Sequence, residues 1–285
     1  MKRPRNWLFF LLVVLVWSTN WPVMKSGLDY VAPLNFVLHR FLFSTLALSP
    51  FVIALRERIP RDKETLSRLL LLGLINASGI VLTNMGLVYE KSGIGAVLTY
   101  TQPLFVFCMA VPFLKEKAKA SRILGLPAGF LGVAALSLGK IGSIGTSTTS
   151  SILLVAGAFL WAVTVIYYKK LLSHVDPIVT NIIQLAVGAA TLAPLNALTG
   201  GFHFPLSAEY VAIVLYAAVA ASSLGLTIWL YLLKDEEATV LSSSSFIVPM
   251  SALFFGWLLL GESVELSSIF GTVLILVGVY LVNRT

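Results

Sequence analysis

Four side chains near residue 20 combine the residue types and the spacing of a binding surface. Trp17, Asn20, Trp21 and Met24 follow one another at i, i+3, i+4 and i+7, which places them on one face of a helix. An amide donates and accepts hydrogen bonds, and an indole ring contacts apolar and cationic groups. Pro22 frees a backbone carbonyl in the preceding turn as a further acceptor. The chemistry predicted for this face is the binding of a small molecule at the wall of a cavity.

Polar and aromatic side chains also interrupt other apolar stretches of the chain. The candidate substrate-binding residues are Trp17, Asn20, Trp21, Asn84, Thr99, Tyr100, Gln102, Trp161, Tyr168, Trp229, Ser244 and Ser245. We predict that Asn20, Trp21, Gln102, Trp161 and Trp229 border one cavity. A structural explanation competes with this one, because Ser and Thr often bond to the carbonyl one turn earlier and small residues allow close helix packing.

The sequence lacks the groups that an enzyme of the membrane would need. The three histidines, His39, His174 and His203, fall in one predicted helix and two different loops. Cys108, the single cysteine, has no base beside it. We therefore predict no catalytic residue, no metal site and no cofactor.

The composition indicates lipid as the main solvent of this chain. Of its 285 residues, 58% are apolar and only 12% are charged, which is about half the charged share of a soluble protein. The formal net charge of +7 could indicate a nucleic-acid partner. The positions of the basic residues explain it better, and we predict a lipid bilayer and a small molecule as the partners, with no nucleic acid.

Ten stretches are long and apolar enough to cross a bilayer, which takes about 20 residues. The predicted spans are 6–24, 33–55, 66–88, 92–113, 122–139, 150–168, 177–198, 207–233, 238–260 and 264–282. The connections between them are too short to hold a soluble domain. This pattern predicts an all-α integral membrane protein.

The basic residues predict how the spans are oriented. Sixteen of the twenty lysines and arginines fall on one side: Lys2, Arg3, Arg5, Arg56, Arg58, Arg61, Lys63, Arg68, Lys115, Lys117, Lys119, Arg122, Lys169, Lys170, Lys234 and Arg284. Short cytoplasmic loops carry such an excess. We therefore predict that both termini are cytoplasmic and that the protein lies in the plasma (inner) membrane.

The second half of the chain repeats the first. Offsets of 144 and, later in each half, 146 align Trp17 with Trp161, Lys25 with Lys169, Pro33 with Pro177, Pro103 with Pro249 and Glu116 with Glu262. Each half holds five spans, an odd number, so the second half must cross the membrane in the opposite sense. We predict ten transmembrane helices in two inverted five-helix repeats, residues 1–145 and 146–285. Such repeats usually enclose a substrate site near the midplane.

These residues also resemble a known family. The stretch "WSTNWPVMKSGL", the later Pro and "RF", and the duplicated Pro, Glu and Gly positions are similar to the EamA family of the drug/metabolite transporter superfamily. The resemblance covers nearly the whole chain. It implies ten helices, cytoplasmic termini and a central cavity lined mainly by helices 1, 3, 4, 6, 8 and 9. It further implies alternating-access transport of small metabolites, often the export of amino acids.

Five residues are predicted to have gating or structural roles: Arg40, Pro103, Pro249, Glu116 and Glu262. For Arg40 the resemblance implies this role, because an arginine followed by a phenylalanine, here Phe41, is typical of the family. Arg40 lies about 10 Å along its helix, near enough to an end to extend its charge toward water. Contact between Arg40 and a substrate carboxylate is the alternative. Glu116 and Glu262 precede predicted helices 5 and 10, where a carboxylate would suit the helix N-terminus.

The sequence thus favours a secondary transporter, independent of ATP, that exports amino acids or related amphipathic compounds. Hydrophobic cations would also suit aromatic walls. A sugar-phosphate or nucleotide-sugar exchanger is the main alternative, and a membrane enzyme is the alternative from a different class. The sequence leaves open the cargo, the direction, the coupling ion and the oligomeric state, although a monomer would suffice in principle.

Overall fold

The computed structural model describes residues 4–117, 125, 127–128, 131–132, 146–245, 247–263 and 266–283. All regular secondary structure in these residues is helical. The helices are α1 (Pro4–Leu28), α2 (Pro33–Ala54), α3 (Lys63–Leu87), α4 (Ser92–Thr99), α5 (Gln102–Leu114), α6 (Thr146–Leu171), α7 (Pro177–Thr199), α8 (Ala208–Leu215), α9 (Leu226–Asp235), α10 (Ala238–Ser244), α11 (Ile247–Leu260) and α12 (Leu266–Asn283). A short 3-10 turn, Arg56–Arg58, follows α2, and a π-helical segment, Tyr216–Gly225, joins α8 to α9.

Eight helical stretches in the described residues are long and apolar enough to cross a membrane. They are Arg5–Leu28, Pro33–Ala54, Lys63–Leu87, Ser92–Leu114, Thr148–Leu171, Pro177–Thr199, Ala208–Asp235 and Ala238–Leu260, and each coincides with a predicted span. Helix α12 occupies the tenth predicted span, where the apolar stretch Ile269–Gly278 is shorter. The fifth predicted span, 122–139, lies mostly outside the described residues. The total of ten therefore stays a prediction.

Two of the predicted spans, 92–113 and 238–260, are each broken into two helices. One break separates α4 from α5, and the other separates α10 from α11. Pro103 and Pro249 lie in the first turn of the helix that follows each break. Proline has no N–H to donate, and the N–H groups in the first turn of a helix have no partner within that helix, so both prolines suit this position. The structural role of both prolines is therefore to begin a second helix within one span.

Glu116 and Glu262 each cap a helix that belongs to the other half of the chain. The backbone N–H groups of Ser92 and Gly93, at the start of α4, donate to the Glu262 carboxylate at 2.6 and 3.2 Å. Glu116 accepts from the first two N–H groups of α10 at 2.9 and 3.2 Å. In the described residues the two glutamates thus cap α10 and α4. The starts of predicted helices 5 and 10 include residues outside the described part of the chain, so capping of the helix that follows each glutamate stays a prediction.

A left-handed residue turns the chain toward each of these caps. Lys115, with φ 58°, precedes Glu116, and Gly261, with φ 63°, precedes Glu262. The two positions correspond under the offset of 146. Left-handed residues commonly end helices because they reverse the chain direction. The same backbone device therefore places both carboxylates.

The opposite helix ends are capped by lysines at corresponding positions. Lys25 Nζ donates to the carbonyls of Leu87 and Val88, at the C-terminal end of α3, at 3.0 and 2.7 Å. Lys169 Nζ donates to Leu233 O and Lys234 O, in the last turn of α9, at 2.7 and 3.0 Å, and to Glu236 O, just after that helix, at 2.9 Å. A cation is favourable at a helix C-terminus because the unpaired carbonyls carry partial negative charge.

Helices of the two halves pack against one another in corresponding pairs. Helix α3 packs against α6. The corresponding pair of the repeat is the π-helical segment, which packs against α1. Helix α4 packs against α11 as α10 packs against α5, and α2 packs against α7. Large apolar side chains such as Leu8, Leu46 and Leu198 remain exposed on the outer faces. This surface suits a lipid environment, in which exposed leucine carries no hydration cost.

We expect Glu262→Ala to lower the stability of the folded protein by about 1–3 kcal/mol, because it leaves two backbone N–H groups at the start of α4 without an acceptor. Glu262→Gln should cost less, since its amide oxygen can still accept. Thermal unfolding in detergent measures the difference. Glu57→Ala is the matched control because Glu57 is exposed on the 3-10 turn. Equal unfolding temperatures for the Glu262 and Glu57 variants would contradict the capping role.

Candidate functional site

A cavity of about 120 Å³ is lined by residues from both halves of the chain. Its walls come from α1, α2, α3, α4 and α6, with the π-helical segment and the first residue of α9. Thr99 and Tyr100, at the point where the fourth span is broken, both line the cavity. The broken helix therefore helps to build the site.

Seven of the twelve predicted substrate-binding residues line this cavity: Trp17, Asn20, Trp21, Asn84, Thr99, Tyr100 and Trp161. Arg40, predicted to have a gating or structural role, lines it as well. Met24, the fourth member of the predicted face on α1, also lines it. The helical spacing near residue 20 thus predicted the position of one wall. Whether these side chains bind a substrate stays a prediction.

Five of the predicted substrate-binding residues do not line the cavity: Gln102, Tyr168, Trp229, Ser244 and Ser245. Gln102 is fully buried beyond the break in the fourth span, with its amide nitrogen 3.4 Å from Ser242 Oγ. Ser244 and Ser245 donate to carbonyls four and three residues earlier, at 2.7 and 2.6 Å. The structural explanation for serine therefore describes these two residues.

Tyr168 and Trp229 also lie outside the lining of this cavity. Both side chains are almost completely buried, at 0% and 1% exposure. The Trp229 ring packs behind the cavity wall, 5.2 Å from the ring centre of Trp17 and 6.1 Å from that of Trp161. Trp229 was predicted because its span also carries hydroxyl groups, a pattern that does not show how its ring packs against Trp17 and Trp161.

Several residues at the cavity wall were not among the predicted substrate-binding residues: Met24, Asn76, Gly79, Ile80, Thr83, Gly157, Thr164, Ala221, Ser222 and Leu226. The polar residues could be identified from the sequence, since Asn76, Thr83 and Thr164 interrupt apolar spans. The small residues could not. Gly157 is required by packing, because a Cβ there would overlap the Thr83 hydroxyl and approach Gly79 O to 3.1 Å.

Aromatic rings form one continuous part of the wall. The Trp161 ring centre lies 5.6 Å from that of Trp17 and 5.3 Å from that of Tyr100, both in edge-to-face geometry. The Trp17 indole N–H donates to Ala221 O at 3.2 Å, within the π-helical segment. Gly225 permits this approach, since a Cβ there would lie 2.7 Å from Trp17 Nε1. The wall can therefore hold an apolar group in a fixed place.

Four lining residues have buried polar atoms without a hydrogen-bond partner in the described part of the chain. These atoms are Asn20 Oδ1, Asn76 Nδ2, Asn84 Oδ1 and Thr99 Oγ1. The other end of the Asn84 amide is fixed, because its Nδ2 donates to Ile80 O at 2.8 Å. An unpaired buried polar atom costs about 1–3 kcal/mol. These atoms can hydrogen-bond water or a bound molecule.

The model of the EamA-like transporter family matches residues 6–138 and 148–284, which is nearly the whole chain. The chain belongs to the EamA-like transporter family. It is therefore a multi-pass membrane transporter and not an enzyme.

Relatives of this EamA-family chain include transporters with and without a named cargo. The uncharacterised transporter YvbV of Bacillus subtilis is 30% identical, over 99% of this chain and 93% of its own length. A probable terminal-alkyne amino-acid exporter of Streptantibioticus cattleyicolor is 27% identical, over 100% of this chain and 95% of its own length. A probable amino-acid metabolite efflux pump of Salmonella typhimurium is 27% identical, over 95% of this chain and 92% of its own length.

A solved crystal structure has the same fold as this EamA-family chain. It matches with a TM-score of 0.75 over 99% of this chain and 98% of the other, at 15% sequence identity. At that identity the likeness concerns the fold alone.

We expect Gly225→Ala to displace the Trp17 ring and to destabilise the protein by about 1–3 kcal/mol, as overpacking does in other tightly packed interiors. Thermal unfolding and tryptophan fluorescence would report the two effects. Gly200→Ala is the matched control, because nothing lies within 4 Å of a Cβ at that position. An unchanged emission spectrum and unfolding temperature for Gly225→Ala would show that Trp17 does not rest against Gly225.

Proposed function

We propose that this transporter exports small amphipathic metabolites, amino acids or related compounds, without ATP. The observation that carries the proposal is the combination of aromatic rings and unpaired polar atoms around one cavity. Rings such as Trp17 and Trp161 suit an apolar group, and the amides of Asn20 and Asn84 suit a polar one. The names of two relatives, an amino-acid exporter and an amino-acid metabolite efflux pump, agree with this substrate class.

The proposal includes two inverted repeats of five helices, residues 1–145 and 146–285. Three observations support it: the family model matches twice along the chain, the helix contacts occur in corresponding pairs, and both the lysine and the glutamate caps recur. The bias of basic residues supports cytoplasmic termini in an inner membrane.

We propose that the two repeats move relative to each other, so that the cavity opens alternately to the outside and to the inside of the membrane. Three buried atoms outside the cavity, Tyr168 Oη, Gln184 Oε1 and Trp229 Nε1, have no partner among the described residues. These residues correspond by the repeat offsets to Met24, Arg40 and Thr83, which all line the cavity. Polar groups that are unpaired in one state would be satisfied if they lined the cavity of the opposite state. Their burial therefore supports alternating access.

A sugar-phosphate or nucleotide-sugar exchanger is less well supported. A phosphate group is usually held by several cationic or N–H donors. Arg40 is the single cationic side chain among the residues that line the cavity.

We expect Trp161→Ala to raise the substrate concentration for half-maximal transport by about 10-fold, because loss of one aromatic contact costs about 1.4 kcal/mol. Efflux of radiolabelled amino acids from proteoliposomes would measure this. Trp257→Ala is the matched control, since Trp257 is 58% exposed on the outer surface. Wild-type transport by the Trp161 variant would place the substrate elsewhere, and failure of the wild-type protein to transport any amino acid would overturn the proposed substrate class.

We expect Gln102→Leu to leave the unfolding temperature nearly unchanged and to reduce transport. Its Oε1 atom has no partner among the described residues, so the leucine removes no strong bond. Transport should fall because the amide would be exposed in the opposite state, where a substrate or water would use it. Joint loss of folding and transport would favour a packing role, and normal transport would contradict a role in the opposite state.

A further inference from the structure

Arg40 is a buried cation whose partners in the structure are neutral. Its side chain is on α2, is 7% exposed and lines the cavity. Its Nε donates to Ser222 Oγ at 2.5 Å, and its Nη1 contacts Met24 Sδ at 3.1 Å. The hydrogen bonds of the Arg40 side chain within the described residues thus use Nε and Nη1. A guanidinium group has five N–H donors, so donors remain available.

No carboxylate balances this charge within the described residues. The residues that line the cavity include no Asp or Glu. The ion pairs found in the described part of the chain join Arg58 to Asp176 and Arg68 to Glu64, at the ends of helices. A buried charge without a counter-ion is costly, and a partner that neutralises it recovers much of the cost.

The position of Arg40 argues against extension of its charge toward water. Ser222, which accepts from Nε, lies near the middle of the 28-residue stretch Ala208–Asp235. Ser222 is itself held in place, because its carbonyl accepts from Asn181 Nδ2 at 3.0 Å. An arginine that extended toward water would direct its guanidinium to a helix end. Arg40 instead spans from α2 to the centre of a neighbouring span.

We propose that Arg40 binds the carboxylate of the transported molecule, whose apolar part then lies against Trp17 and Trp161. This inference rests on the proposed function and narrows its substrate class to amphipathic molecules with a carboxylate. A planar guanidinium matches the two oxygens of a carboxylate. Hydrophobic cations are disfavoured, because they would enter a cavity whose charged wall residue has the same sign.

Ligand pairs tested on the wild-type protein decide the proposal without any variant. The purified full-length transporter in detergent is titrated with L-phenylalanine, L-leucine and L-methionine, and with the carboxamide of each. Tryptophan fluorescence and thermal stabilisation report binding. At least one amino acid should bind about 10- to 100-fold more tightly than its amide, which lacks the carboxylate charge. Equal binding of acid and amide, or no binding by any of the three acids, overturns the proposal.

Variants of Arg40 test whether this residue provides the selectivity. Arg40→Gln should remove the preference for acid over amide, whereas Arg40→Lys should keep part of it by retaining the charge. Ser49→Ala, on an exposed position of the same helix, should match the wild-type protein. A preserved acid preference in folded Arg40→Gln overturns the assignment. If proteoliposomes containing the wild-type protein transport acid and amide equally well, the result agrees with the proposed function but contradicts carboxylate binding by Arg40.

Discussion

The whole structure depends on keeping backbone groups hydrogen-bonded where water is scarce. A helix that ends in or near hydrocarbon leaves up to about four N–H groups or four carbonyls without partners, and each unsatisfied group there costs several kcal/mol. Glu262 and Glu116 accept from such N–H groups, and Lys25 and Lys169 donate to such carbonyls. These caps satisfy the ends at which α3, α4, α9 and α10 meet the connecting loops. At the breaks within the two spans, the N–H groups of Thr101 and Ser245 instead donate to the carbonyls of Leu98 and Ser242, each at 3.3 Å.

The glutamates and the lysines tie the protein together in different ways. Lys25 and Lys169 each bond within their own half, whereas Glu116 and Glu262 each reach a helix of the other half. A hydrogen bond to a charged group contributes only about 1.5–3 kcal/mol. A carboxylate cap is therefore strong enough to hold two helix ends together and weak enough to exchange for water at the membrane surface.

The sequence predicted what depends on neighbouring residues and missed what depends on distant ones. Spacing placed Trp17, Asn20 and Trp21 on one face, and that face lines the cavity. Gln102 shares a predicted helical stripe with Thr99, but it lies beyond the break before α5 and does not line the cavity. The helices capped by the glutamates lie about 120 to 170 residues away along the chain, so no local pattern could identify them. The sequence could not identify Gly157 and Ala221 as lining residues, because a small side chain indicates close packing only when the neighbouring helix is known.

The duplicated halves agree at their helix ends and differ at the cavity. Lysine and glutamate caps are identical in the two halves, because both copies must satisfy the same backbone groups. The cavity positions have diverged: Arg40 corresponds to Gln184, and Asn20 corresponds to Thr164. A cavity with full two-fold symmetry would present the same groups to both ends of a bound molecule. A molecule with an anionic end and an apolar end requires unequal walls, and a charge present in only one half supplies that inequality.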